Sequence, residues 1–81
     1  MMNTCVIVGR IDKLEEGKMY LIVNDTEQVP NIIPIVLKHK INDIINDTCN
    51  IGDLVGVKGN IREKMGILNI VADRVSILKR K

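Results

Sequence analysis

Apolar and polar positions alternate with a period of two through most of this chain, a pattern that predicts β-strands. The first strand is predicted over residues 4–11, where both faces are apolar until Arg10. Such a strand is covered twice, once by the domain core and once by something else. In an 81-residue chain we expect the second cover to be another subunit, with Val6, Val8 and Arg10 in the interface.

Two further strands are predicted before the middle of the chain. Residues 12–17 read as a charged loop, and residues 18–25 as a strand with Met19, Leu21 and Val23 facing inward. A polar loop over residues 24–31 follows. The third strand covers residues 32–38, and Pro34 within it cannot donate a ladder hydrogen bond. We therefore expect Pro34 at a sheet edge or beside a bulge.

The period then changes to that of a helix, over residues 41–50. The positions expected to face the core are Ile41, Ile44, Ile45, Thr48 and Cys49, and those expected outside are Asn42, Asp43, Asn46 and Asp47. The segment has low helix propensity, so packing against the sheet must stabilise it. Gly52 comes just after, where a glycine in the left-handed conformation can end a helix.

The fourth strand, over residues 52–61, returns to period two. Val55, Val57 and Ile61 share one face, and Lys58, Asn60 and Arg62 share the other. Gly56 and Gly59 inside this strand indicate a bulge, a sharp coil or the close approach of another backbone. A turn over residues 63–66 leads to a last strand over residues 67–78.

The order of these elements is strand, strand, strand, helix, strand, strand. It predicts one all-β domain over residues 1–81, a five-stranded OB-fold (oligonucleotide/oligosaccharide-binding) barrel with one short α-helix between strands 3 and 4. A small open antiparallel sheet capped by one helix is the alternative.

Charge is unevenly distributed along the chain. The net charge of +2 divides into −3 up to Asp53 (five basic, eight acidic residues) and +5 from Leu54 onward (seven basic, two acidic). A basic half suits a polyanionic partner and is equally an ordinary aid to solubility. Cys5 and Cys49 lie in apolar surroundings and are expected to be reduced, buried thiols of a cytoplasmic protein. No apolar run approaches the ~20 residues of a membrane span, so no membrane partner is expected.

Candidate binding residues form three groups, each with a plain structural alternative. Lys58, Arg62 and Lys64 recur along one side of the fourth strand, where they can follow a phosphate backbone or simply form a polar outer face. Lys18 and Tyr20 share a face and can offer a cation and a stacking ring, although a lone tyrosine often only packs. Lys38 and Lys40 flank the single histidine in a basic or merely solvated junction. No catalytic residue, metal site or cofactor site is predicted.

With this order in place, three segments resemble the bacterial single-stranded DNA-binding proteins of the OB-fold type. They are the opening strand around Val8-Gly9-Arg10-Ile11, the glycine-centred stretch from Gly52 to Arg62 with the strand and helix before it, and the closing strand from Asn69 to Leu78. The resemblance implies a non-enzymatic protein of DNA replication, repair and recombination. It also implies dimers or tetramers that use the first strand, and backbone capture combined with base stacking on aromatic rings.

The chain departs from that family at its aromatic positions. By an ungapped comparison these positions fall at Ile32, Lys38 and near Met65, so only Tyr20 is expected to stack a base. The chain ends in Lys79-Arg80-Lys81 where typical members carry an acidic tail that recruits partner proteins. We therefore expect a short form without that tail.

Two functions of different classes follow. The first is binding of single-stranded DNA, or of RNA, mainly through electrostatics and without sequence preference. The second is a protein–protein assembly module, such as an accessory replication component, with little or no nucleic-acid binding. The basic second half favours the first, and the near-absence of aromatic residues favours the second.

Overall fold

The computed structural model describes residues 3–23 and 31–81, which contain five strands and one helix. The elements, in chain order, are β1 (Thr4–Glu15), β2 (Lys18–Val23), β3 (Asn31–Leu37), α1 (His39–Thr48), β4 (Leu54–Lys64) and β5 (Ile67–Lys79). The predicted loop over residues 24–31 lies outside the described residues except for Asn31, which begins β3.

The strands close into a barrel in the order β1-β2-β3-β5-β4. All neighbouring pairs are antiparallel except β3 and β5, which run parallel through Ile35, Val36 and Leu37. The helix lies between β3 and β4 in the chain and contacts β5 and β3. The predicted five-stranded OB-type barrel with one helix is confirmed.

The first strand is four residues longer than predicted, because residues 12–15 belong to it and not to a loop. A register shift between Ile11 and Lys13 makes a bulge at Asp12, after which β1 pairs with β2 up to Glu15 and Lys18. The bulge absorbs one residue and lets a charged segment continue the ladder. The turn therefore contains only Glu16 and Gly17, and Gly17 has a φ of 79°.

The two long strands β4 and β5 form a hairpin that extends beyond the barrel. Their pairing continues to Lys64 and Ile67, so the turn is shorter than the predicted 63–66 and contains only Met65 and Gly66. Both residues have positive φ, 53° and 79°, as a tight two-residue hairpin turn requires.

The helix begins two residues earlier than predicted and presents a different face to the barrel. Ile45 and Cys49 are buried as expected, whereas Asn42 is buried and Ile44 is 59% exposed, contrary to the prediction. Asn42 is inside because its Oδ1 accepts a hydrogen bond from the Gly17 N–H at 3.0 Å. The helix is therefore attached to the β1–β2 turn by a polar contact that hydrophobic periodicity cannot indicate.

The barrel interior is filled almost entirely by aliphatic side chains. The buried apolar residues are Ile11, Met19, Leu21, Ile35, Leu37, Ile45, Cys49, Val55, Val57 and Ala72. They come from every strand and from the helix, so burial of this one cluster holds all the elements together. Cys49 is part of the core, while Cys5 is only half-buried, and neither forms a disulfide.

The glycines of the fourth strand have different roles. A register shift lies between Lys58 and Gly59, and a Cβ on Gly59 would collide with the Val71 carbonyl oxygen. The close backbone approach is thus confirmed at Gly59, and the bulge lies opposite it in β5, where Asp73 is the extra residue. A Cβ on Gly56 would meet no backbone and would only contact the Leu78 side chain, with Cδ1 at 3.5 Å.

The prediction that Gly52 ends the helix is wrong, because α1 stops four residues earlier, at Thr48. Gly52 has a φ of 95°. It belongs instead to the turn that leads into β4. Pro34 is exposed and pairs with Tyr20 of β2, and the ladder to β5 begins only at Ile35. The predicted edge environment of Pro34 is confirmed.

Candidate functional site

A groove of about 520 Å³ crosses the outer surface of the barrel beside the β4–β5 hairpin. Three of the predicted binding residues, Lys18, Arg62 and Lys64, line it together. The remaining lining residues are Val36, Glu63, Asn69 and Val71. With three cations against one carboxylate, the groove suits an anionic ligand.

The strand order explains why residues so far apart in the chain share this groove. Lys18 on β2 pairs with Val36 on β3, Val36 pairs with Val71 on β5, and Val71 pairs with Asn60 on β4. The two valines therefore form an apolar floor, with Lys18 on one side and the cations of β4 on the other. Neighbouring strands are about 4.8 Å apart, so these sides are separated by about three strand spacings.

The cations of the fourth strand are carried by the projecting part of the hairpin. Arg62 pairs with Asn69, and Lys64 pairs with Ile67 next to the turn. All residues from 61 to 68 are exposed. Beyond Ile61, which exchanges hydrogen bonds with Asn3, the described hairpin is held mainly by its own ladder, so its cationic side chains can adjust to a ligand more freely than those on the barrel wall.

The basic junction between β3 and the helix lies at the end of the groove floor. Lys38 forms an ion pair with Asp73, with Lys38 Nζ 3.1 Å from Asp73 Oδ1. Lys40 lies in the first turn of α1 and is exposed. His39 Nε2 is 3.7 Å from Asp43 Oδ2 on the same helix. Lys38 is therefore close to the groove but already has a partner.

Tyr20 lies on β2, two residues from Lys18 on the same face, and is half-buried. Lys13 Nζ is 5.7 Å from the centre of its ring, and its hydroxyl donates a long hydrogen bond of 3.5 Å to Glu15 Oε2. The Lys13 ammonium, 2.8 Å from Glu15 Oε1, lowers the pKa of the Glu15 carboxyl through their hydrogen bond. The same contact raises the pKa of Lys13.

The three positions at which the resemblance would place aromatic residues carry other side chains. Ile32 is 47% exposed and pairs with Ile22 of β2. Lys38 carries the ion pair to Asp73, and Met65 is exposed at the hairpin turn. The surface thus offers aliphatic side chains and cations in place of stacking rings.

A second groove, of about 380 Å³, lies on the outer face of β1, β4 and β5. Val6 and Val8, predicted as interface residues, line it and are 72% and 51% exposed. Its other lining residues are Gly56, Val57, Lys58, Arg74, Ser76 and Leu78. Lys58 therefore lies apart from Arg62 and Lys64, although all three are on β4.

Arg10, the third predicted interface residue, lies at the far end of the same face. It is exposed, and its Nη1 donates a hydrogen bond of 3.2 Å to the Gly52 carbonyl oxygen. The second groove thus combines an apolar centre with cationic surroundings.

Sequence reasoning missed the residues that form the groove between the cations. Val36 and Val71 are ordinary strand residues in the sequence, and they form the floor only because β5 inserts between β3 and β4. Asp73 was likewise not singled out, although it engages Lys38. Among residues 3–23 and 31–81, no group of three or more His, Cys, Asp or Glu side chains is arranged to hold a metal ion.

The helix α1, with ten residues, is too short to cross a membrane, and it is the only helix within the described ranges.

No protein-family model matches the sequence, and no curated protein matches it in a sequence search. Solved structures do match the fold. The mitochondrial single-stranded DNA-binding protein Rim1 of S. cerevisiae is 21% identical with a TM-score of 0.78, covering 96% of this chain and 94% of that one.

Two bacterial structures give similar values. The second single-stranded DNA-binding protein of Mycobacterium smegmatis is 16% identical with a TM-score of 0.72, covering 96% of this chain and 90% of that one. The N-terminal domain of PriB from Thermoanaerobacter tencongensis, described as dimeric, is 19% identical with a TM-score of 0.69, covering 96% and 98%. At these identities the likeness shows the fold: this chain has the OB-type barrel of single-stranded DNA-binding proteins over nearly its whole length.

Proposed function

We propose that this protein binds single-stranded nucleic acid, DNA in the first place, in the groove that contains Lys18, Arg62 and Lys64. The observation that supports this proposal is the convergence of the three cations, from two distant strands, around the apolar floor of Val36 and Val71. Cations attract the phosphates of a single strand, and an apolar floor accepts unpaired bases. The fold shared with single-stranded DNA-binding proteins supports the same proposal.

The binding is mainly electrostatic and non-sequence-specific. The groove cations are exposed side chains that suit phosphate oxygens, which carry no sequence information. Tyr20, which shares a face of β2 with Lys18 but does not line the groove, is the only aromatic residue in the sequence, so stacking contributes less than in a site with several rings. The proposed role is that of a non-enzymatic binding module in DNA replication, repair or recombination in the cytoplasm.

A titration of fluorescently labelled oligothymidine at low salt, followed by anisotropy, tests this proposal. We expect saturable binding by the wild-type protein and weaker binding after Lys18→Ala, Arg62→Ala or Lys64→Ala. Lys79→Ala is the matched control, because Lys79 is an exposed cation at the far end of β5, outside the groove. Absence of binding by folded wild-type protein would refute the proposal.

We also propose that the protein self-associates through the outer face of β1, β4 and β5. Val6, Val8 and Leu78 are exposed apolar residues there, and Val6 and Val8 sit opposite Lys58 and Gly56 on β4. Exposed apolar residues that adjoin one another are typical of interaction sites. The similarity to a structure described as dimeric also favours self-association. The assembly module proposed above as a second function would use this face.

Val8→Glu tests this interface, since a carboxylate at the centre of an apolar contact is costly to bury. We expect light scattering to give the wild-type protein the mass of a dimer or tetramer at micromolar concentration. The Val8→Glu variant should have a lower mass, because its subunits dissociate. Ile44→Glu is the control, because Ile44 is an exposed isoleucine on the helix, outside this face. A monomeric mass for the wild-type protein would contradict the proposal.

A further inference from the structure

Asp73 occupies the position in β5 that the bulge leaves without a partner. Lys58 pairs with Arg74 and Gly59 pairs with Ala72, so Asp73 is the extra residue of β5 between them. A bulge redirects the side chain of its extra residue. Here the Asp73 carboxylate engages the N-cap residue of α1 and strand β4, with Oδ1 3.1 Å from Lys38 Nζ and Oδ2 accepting a hydrogen bond from Asn60 Nδ2.

This cluster of Asp73, Lys38 and Asn60 adjoins the groove floor. Lys38 comes two residues after Val36, and Asp73 comes two residues after Val71, while the two valines pair with each other. Asn60, which donates a hydrogen bond to Asp73, pairs with Val71 of the floor. The Lys38–Asp73 ion pair therefore lies next to the floor, and it places a carboxylate near the groove cations.

We propose that Asp73 competes with the phosphates of a bound strand for Lys38, so that this lysine joins the binding surface only when it leaves Asp73. The inference rests on the proposed function of the groove. Lys38 and Asp73 are exposed at 52% and 36% of their side chains, and ion pairs this exposed are weak in water. A phosphate arriving in the groove can therefore replace Asp73 as the partner of Lys38.

The hydrogen bond from Asn60 makes this exchange feasible. When Lys38 moves to a phosphate, Asp73 Oδ2 keeps its contact with Asn60 Nδ2, and its exposed Oδ1 can be hydrated. The carboxylate thus stays fixed beside the groove, where it also repels the strand. Asp73 limits affinity and keeps binding reversible at this end of the groove.

Four proteins test the inference in one experiment: wild type, Asp73→Asn, Lys38→Ala and the double variant. Asparagine keeps the size of Asp73 and its contact with Asn60 but loses the charge. With labelled oligothymidine we expect Asp73→Asn to bind about two- to fivefold more tightly, the range that one exposed ion pair is worth. Its slope of log K against log salt should become more negative by about 0.7, as one more phosphate is neutralised.

The gain should depend on Lys38. Lys38→Ala alone should change affinity little, because in the wild-type complex Asp73 still holds this lysine for most of the time, whereas adding it to Asp73→Asn should remove most of the gain. Asp47→Asn on the exposed side of the helix makes the same change of net charge and should have little effect. If the asparagine variant folds poorly, Asp73→Ala takes its place in the titration, and the same gain in affinity for oligothymidine is expected.

The possible failures are distinct. If wild type binds and Asp73→Asn matches Asp47→Asn, or if the gain survives in the double variant, the inference is wrong while the proposed function stands. If no variant binds at low salt although all are folded, the proposed function is wrong and the inference falls with it.

Discussion

The carboxylate of Asp53 accepts a hydrogen bond of 3.0 Å from the backbone N–H of Lys81, 28 residues further along the chain. Its second oxygen accepts the Asn50 N–H, also at 3.0 Å, and Arg80 Nη1 lies 3.9 Å from it. Asp53 is only 2% exposed. These contacts hold residues 80 and 81 against the turn between the helix and β4.

Asp53→Asn should lower the melting temperature near neutral pH, because one of the two acceptor oxygens and the charge are lost. The backbone hydrogen bonds from Lys81 and Asn50 lower the pKa of Asp53. A carboxyl whose pKa is lower in the folded state stabilises the fold above its unfolded pKa and loses that contribution as the pH falls. The difference in melting temperature between wild type and variant should therefore shrink below about pH 4.

Melting curves of both proteins at pH 7 and at pH 3 check this expectation. Asp47→Asn, at an exposed position, is the control for the loss of a carboxylate. A difference in melting temperature that is equally large at both pH values would contradict the stabilising role of the charge.

Asn42→Ala should destabilise the fold by about 1–3 kcal/mol, since it leaves the Gly17 N–H without its acceptor in a partly buried place. The matched control is Asn46→Ala on the exposed side of the same helix. That substitution should be neutral or slightly stabilising, because alanine is the better helix former. Urea unfolding of the two variants measures the difference, and equal stabilities would show that the contact to the β1–β2 turn contributes nothing.

Period-two patterns predicted most of the barrel because they report directly on which side of a strand is buried. Met19 and Leu21 are buried as the alternation requires. The pattern failed where a polar contact decided the packing, as at Asn42, and where a bulge continued a strand through charged residues, as at Asp12. Neither feature leaves a hydrophobic signal.

The candidate site was predictable only in part. Lys18, Arg62 and Lys64 were recognised as cations on outer faces, but their meeting depends on the insertion of β5 between β3 and β4. Sequence spacing also grouped Lys58 with Arg62, whereas the strand is long enough for the two residues to line different grooves. Which cations share a groove depends on strand order, which local patterns do not encode.

Gly59→Ala should destabilise the barrel by about 1–3 kcal/mol, the usual cost of forcing an extra group into a packed site. Its Cβ would collide with the Val71 carbonyl oxygen, which is backbone and cannot swing away. Gly56→Ala is the control on the same strand, where a Cβ would make only ordinary van der Waals contact with the Leu78 side chain, and it should stay within about 0.5 kcal/mol of wild type. Urea unfolding gives both values, and a neutral Gly59→Ala would contradict the close approach.

Tyr20→Ala should weaken binding of labelled oligothymidine about fivefold or more, since stacking of one base on a ring is worth ~1–3 kcal/mol. Tyr20→Phe is the matched control, because it removes the hydroxyl contact to Glu15 and keeps the ring. We expect the phenylalanine variant to bind like wild type. Unchanged affinity of a folded Tyr20→Ala protein would mean that the ring only packs beside Lys13.

The salt dependence of oligothymidine binding tests the proposed groove most directly. Each phosphate neutralised on a single strand contributes about −0.7 to the slope of log K against log salt. Three cations therefore give a slope of about −2 for the wild-type protein, and Arg62→Ala should change the slope to about −1.4. Lys79→Ala should leave the slope unchanged. A wild-type slope near zero, or a slope that Arg62→Ala does not alter, would contradict the electrostatic capture of a single strand in this groove.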